Sequence, residues 1–142
     1  MSQPMRRNRS KSYRHLAGAV TITMLLVVPV SILAEGAPER VRFQRGHSST
    51  TLRGRIAGFD TKDYVVGAKA GQAMALRLSS PNSSTYFVIY SINGRATDMN
   101  ETTEWSENLS ESGDYVIRVF MMRSAARRKG SAANFILSIS IK

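Results

Sequence analysis

The sequence contains no cysteine. Disulfides, Cys-based zinc sites, a Cys nucleophile and a lipidated N-terminal Cys are therefore excluded. Histidine is nearly as scarce. With only His15 and His47, a multi-histidine metal centre is excluded too, and no metal or other cofactor is expected. Acidic residues are absent from residues 1–34, which hold five of the 20 basic residues, Arg6, Arg7, Arg9, Lys11 and Arg14. Without that segment 108 residues remain, with 15 basic and 10 acidic side chains, and the net charge falls from +10 to +5. A chain of that size is one domain with a single core, too small for a two-domain enzyme.

Residues 1–34 read as a secretory signal. Met1–His15 is polar and basic, and Leu16–Leu33 is apolar apart from two Thr and one Ser. The small residues of Ser31-Ile32-Leu33-Ala34 follow, which completes the plan of a cleavable signal. Cleavage is expected after Ala34, with Ala34-Glu35-Gly36 as the alternative. Pro29 would break the apolar helix just before the cut. The other reading is a retained anchor, for which an 18-residue run is slightly short of the usual length of about 20. Arg6-Arg7 lacks the hydrophobic residues that follow a twin-arginine pair. On either reading the folded part, residues 35–142, leaves the cytoplasm for the periplasm, and after cleavage it carries no membrane anchor.

The exported part is patterned as strands. Met74, Leu76 and Leu78 alternate with polar or small residues. Tyr115, Ile117, Val119 and Met121 alternate with Val116, Arg118, Phe120 and Met122, and Phe135, Leu137, Ile139 and Ile141 do the same near the end. Tyr86–Ile92 is β-branched or aromatic except at Ser91, as a fully buried strand would be. Val41–Gln44, Thr51–Ile56 and Tyr64–Gly67 are earlier candidates. Turn residues separate these runs at Gly58-Phe59-Asp60, Lys69–Gln72, Ser79–Ser84, Asn93-Gly94 and Ser112-Gly113-Asp114. Asn93-Gly94 is a strong hairpin signal, because both central positions of a type I′ turn need positive φ. The expected fold is an all-β, antiparallel sandwich of about seven to eight strands. Ala96–Glu111, with five carboxylates, reads as a surface loop with one short strand around Trp105. Ser124–Ala133 reads as a long, basic, exposed connection.

Few residues suggest catalysis. His47 lies among Ser48, Ser49, Thr50 and Thr51, and Asp60 or Asp63 could orient it. No Gly-x-Ser-x-Gly elbow accompanies it, so a turn histidine is the simpler reading. The acidic 98–111 segment offers carboxylates, but a glycosidase needs two of them fixed across a cleft. Arg123, Arg127, Arg128 and Lys129 form a basic patch. Its lack of interleaved aromatics and the export of the domain argue against nucleic acid. Sequons at Asn82, Asn100 and Asn108 are no more than a Ser-rich sequence yields.

Ser112-Gly113-Asp114-Tyr115 is by itself a turn before a strand. In its setting it carries more. Leu109–Val119, followed by Met122–Arg128, resembles the C-terminal half of the periplasmic inhibitors of goose-type and invertebrate-type lysozymes. Phe43-Gln44-Arg45-Gly46-His47-Ser48-Ser49 resembles the start of that family. Gly54-x-Ile56-x-Gly58 and Tyr64…Ala68-Lys69-Ala70-Gly71-Gln72 resemble its middle. The resemblance spans Val41–Lys142. A more generic likeness, to β-sandwich domains of secreted peptidases, shares the Ala-Gly-Gln and Ser-Gly-x-Tyr turns but not the Arg-rich segment.

The resemblance implies a non-enzymatic sandwich that blocks a host lysozyme for a Gram-negative bacterium. Its Ser-Gly-x-Tyr loop would enter the enzyme's active-site cleft. Ser112 would offer its hydroxyl to the catalytic carboxylates, Gly113 would allow a tight turn, and Tyr115 would brace the loop or touch the cleft wall. Arg127, with Arg123 and Arg128 behind it, would add contacts from a neighbouring loop, since arginine pairs bidentately with carboxylates. His47-Ser48-Ser49 leans to the goose-type inhibitors and Ala125-Ala126-Arg127-Arg128 to the invertebrate-type ones, so the target stays open. The rival readings are an envelope-binding module for glycan or protein and a small hydrolase centred on His47. A homodimer through an exposed strand edge is permitted, though no residue pattern demands it.

Overall fold

A computed structural model describes residues 36–91 and 96–142, and of 96–99 the backbone alone. The proposed signal and the Asn93-Gly94 turn lie outside the described residues.

Among the described residues, nine strands and one helical turn follow in order. They are β1 (Glu39–Arg40), β2 (Ser49–Ala57), β3 (Lys62–Ala68), β4 (Ala73–Ser79), β5 (Thr85–Ser91), β6 (Ala96–Thr102), β7 (Glu104–Asn108), β8 (Gly113–Met121), α1 (Arg123–Ala126) and β9 (Ala132–Ile141). They form a five-stranded sheet, β1-β3-β8-β5-β6, and a four-stranded sheet, β2-β9-β4-β7. Every pairing is antiparallel except β1 with β3.

The period-2 patterns become the two inner faces. Tyr64, Val66, Phe87, Ile89, Tyr115, Ile117 and Val119 point inward from one sheet, and Met74, Leu76, Phe135, Leu137 and Ile139 from the other. Each of these side chains is at most 3% exposed, so the sheets bury one shared core. Tyr64 meets Phe135 edge-on, with ring centroids 6.3 Å apart. Phe135 also lies across Gly54 on the neighbouring edge strand. A Cβ on Gly54 would stand 2.8 and 2.9 Å from the ring's Cε1 and Cε2. The glycine is there because the ring needs its space.

Three expectations need correction. Val41–Gln44 is not a strand. Only Glu39–Arg40 pairs, and Val41 N–H adds one bond to the Val65 carbonyl. The chain must then leave the five-stranded sheet to start β2 in the other. Ala96–Glu111 is not one loop. It forms two edge strands in different sheets, crossing at Thr102 and Thr103, where the Thr102 hydroxyl donates to the Glu104 carbonyl at 2.7 Å. Trp105 does lie on a short strand, β7, as expected. Ser124–Ala133 is not wholly exposed. Its helical turn buries Ala125 and Ala126 against the end of the sandwich.

Candidate functional site

The turn before β8 stands at one end of the sandwich, together with the β3–β4 turn, the segment before β2 and the C-terminal Lys142. Its exposed tip is Ser110–Gly113, and Leu109 beneath it is buried. Backbone bonds tie the two turns together. Gly71 N–H donates to the Leu109 carbonyl and Leu109 N–H to the Gln72 carbonyl, both at 2.8 Å.

Side chains complete the hold on this tip. The Ser112 hydroxyl oxygen accepts Ala70 N–H at 2.9 Å. Its own O–H remains available to donate outward, because a hydroxyl is both donor and acceptor. Gly113 takes φ 155°, a region rarely open to other residues. Asp114 receives both arms of Arg40, at 2.7 and 2.9 Å, in a bidentate pair lying over Gly67. The Arg40 hydrogen bond holds the Asp114 carboxyl below its ordinary pKa, against a smaller desolvation effect. Tyr115 is only 3% exposed, and its hydroxyl donates to the Glu111 carbonyl at 2.7 Å. It braces the turn from beneath; its ring packs in the core rather than on the surface.

Arg123, Arg127 and Arg128 are exposed at the other end of β8. Nine residues of strand separate the two groups, roughly 26 Å at the usual strand rise. The expectation that the Arg-rich segment neighbours the Ser112 turn is thereby corrected. Sequence adjacency misled, because a strand carries consecutive turns to opposite ends of a sheet.

The rival sites do not assemble. His47 is exposed, and its Nδ1 lies 3.3 Å from the Arg45 carbonyl. Asp60 is at the far end of β2, and Asp63 is bound by Arg118 at 2.6 and 2.8 Å. Trp105 is 7% exposed and points into the core, so it offers no platform for a glycan. Glu104 pairs with Arg77 at 3.1 Å across β4 and β7. Among the described residues, no group of three or more His, Asp or Glu could hold a metal.

The signal missed in the sequence was Arg40. It precedes the resembling blocks and meets Asp114 only because β1 runs parallel beside β3. Gln72 stands in one of the resembling blocks. Its side-chain oxygen accepts Lys69 N–H at 2.7 Å and closes the partner turn.

No protein-family model matches the chain. A curated relative, the inhibitor of g-type lysozyme of Escherichia coli strain K12, is 29% identical over 125 residues, covering 85% of this chain and 93% of that one. Among solved structures, Aeromonas hydrophila PliG, a periplasmic inhibitor of g-type lysozyme, is 32% identical. It matches with a TM-score of 0.67 over 74% of this chain and 96% of its own. Salmonella Typhimurium PliG shares the fold, with a TM-score of 0.59, 24% identity, and coverage of 75% of this chain and 99% of that one.

Proposed function

The chain belongs to the family of periplasmic inhibitors of g-type lysozyme, and from that membership we propose that it inhibits a g-type lysozyme by seating its Ser112 turn in the enzyme's active-site cleft. The observation that carries this reading is the anchored, exposed tip at Ser110–Gly113. Five contacts hold the turn from behind, from Arg40, Ala70, Gly71, Gln72 and the Tyr115 hydroxyl. A turn fixed before docking loses little freedom on docking.

The chemistry fits a carboxylate-based enzyme. The Ser112 O–H can donate to an ionised carboxylate while its oxygen keeps the Ala70 bond. Glu111, exposed on the same tip, can face a basic rim, which offsets the poor long-range attraction between a basic inhibitor and a basic enzyme. Arg123, Arg127 and Arg128 stand too far from the tip to share one cleft. The blocking contact is assigned to the Ser112 end alone. The protein acts as a periplasmic, non-catalytic binder.

The test is an inhibition titration of the exported protein against goose-, invertebrate- and chicken-type lysozymes. Stoichiometric loss of goose-type activity is expected, and Ser112→Ala should weaken it by about tenfold while the lost Ala70 bond lowers stability by no more than about 1 kcal/mol. Full goose-type activity at micromolar protein overturns the proposal. Preferential inhibition of the invertebrate-type enzyme would move the target and leave the cleft contact standing.

A further inference from the structure

The opposite end of the sandwich has a character of its own. It is built from the β2–β3 turn, residues 58–61, and from the segment 122–131 around α1. Gly58 N–H donates to the Ser131 carbonyl at 2.9 Å and joins the two. Phe59 is 66% exposed and Met122 37% exposed, and they are the two large hydrophobics most open to solvent among the described residues. Both project from this end.

Four cations, Arg123, Arg127, Arg128 and Lys129, all exposed, stand in the same segment as Met122. None of the four has an ion pair or side-chain hydrogen bond among the described residues. Asp60 is the one carboxylate in the two segments. The segment is not a loose tail. Arg127 N–H bonds to the Arg123 carbonyl, Arg128 N–H to that of Ala125 and Ser131 N–H to that of Arg128. Buried Ala125 and Ala126 seat the turn on the core, so the cations are displayed from a fixed base.

We propose that this end is a peripheral membrane-binding face for anionic phospholipid, with Phe59 and Met122 entering the interface and Arg123, Arg127, Arg128 and Lys129 lying against the headgroups. Charge complementarity selects the partner: four unpaired cations that share their two segments with a single carboxylate fit an anionic surface. The exposed aromatic and thioether select a lipid surface over a purely polar polyanion, because apolar side chains gain by leaving water. The Ser112 turn, at the other end, would point away from the bilayer and stay free to meet an enzyme.

The experiment is vesicle flotation with residues 36–142, which carry both sheets and the whole core and align with nearly the full length of a solved relative. Vesicles of phosphatidylcholine alone are compared with vesicles containing phosphatidylglycerol. Association with the anionic vesicles only, weakening as salt rises, is expected. Arg127→Gln plus Arg128→Gln should weaken partitioning about thirtyfold without altering circular dichroism or lysozyme inhibition. Phe59→Trp should show a blue-shifted emission on binding. No association with anionic vesicles, equal association with both compositions, or undiminished binding by the double variant overturns the proposal. Loss of lysozyme inhibition in the double variant also overturns it, because the patch would then belong to an enzyme contact.

Discussion

The Tyr115 hydroxyl reaches back four residues to donate to the Glu111 carbonyl, 2.7 Å away, while its ring stays in the core. One residue thus joins the core to the exposed tip. Tyr115→Phe keeps the packing and removes the bond. A net loss of about 1 kcal/mol of stability is expected, together with several-fold weaker lysozyme inhibition, because the bond holds the tip in place. Urea unfolding and an inhibition titration on the same sample check both. Unchanged inhibition would show that the tip does not depend on this brace.

Gly54 and Phe135 are coupled by shape. Gly54→Ala places a methyl where the ring lies, and the ring must tilt away from its edge contact with Tyr64. The expected cost is about 1–3 kcal/mol. Combining it with Phe135→Leu should cost less than the two single changes together, since the smaller side chain makes room. A double-mutant cycle by denaturant unfolding reads this directly. Additive costs would mean the ring does not press on the strand.

How far the sequence revealed this molecule follows from where the information sits. β4, β8 and β9 were legible because one face of each is buried, and burial writes a period of two into the residues. β6 was not. Asp98, Asn100 and Glu101 are poor strand formers, and the strand pairs with β5 in an interrupted register at the edge of its sheet. The Ser112 turn was found through its resemblance, and its braces at Ala70 and Glu111 are local enough to be near in sequence or in a matching block. Arg40 was invisible, because its partner lies 74 residues away and is set by a parallel pairing that no local pattern encodes. The supposed closeness of Arg127 to Ser112 failed for the same reason: separation in sequence says little about which end of a sheet a turn occupies.

Tyr64 and Asp114 give stability a defined pH dependence. Burial, with a smaller contribution from Glu39, pushes the Tyr64 hydroxyl up to about 12. A group raised in the folded state stabilises fully below its unfolded pKa and loses that contribution as pH rises through the folded value. Stability should therefore fall between about pH 10 and pH 12. Ultraviolet titration should show an ionisation step near pH 12, and Tyr64→Phe should remove it. Asp114 works in the opposite direction. Its lowered pKa means a contribution present at neutral pH and lost as pH falls below the ordinary carboxylate range. The Arg40–Asp114 pair is largely exposed, so this limb should be shallow, flatten in high salt and disappear in Asp114→Asn. An undiminished step near pH 12 in Tyr64→Phe would refute the first assignment, and an undiminished acid limb in Asp114→Asn the second.

Gly113 separates backbone strain from steric clash. A Cβ there would meet nothing within 4 Å, yet φ is 155°. Any cost of Gly113→Ala is therefore conformational: the residue must hold a sparsely allowed backbone angle or the turn must move. If the turn holds, stability should fall by about 1–3 kcal/mol with inhibition nearly intact. If the turn moves, stability is recovered, but Ser112 leaves the Ala70 N–H and inhibition falls sharply. The contacts at Ala70, Glu111 and Arg40 resist movement on both sides of the glycine, so the first outcome is expected. Unfolding of Gly113→Ala beside its inhibition curve distinguishes the two. A variant as stable and as inhibitory as the parent would show that the turn does not need glycine at this position.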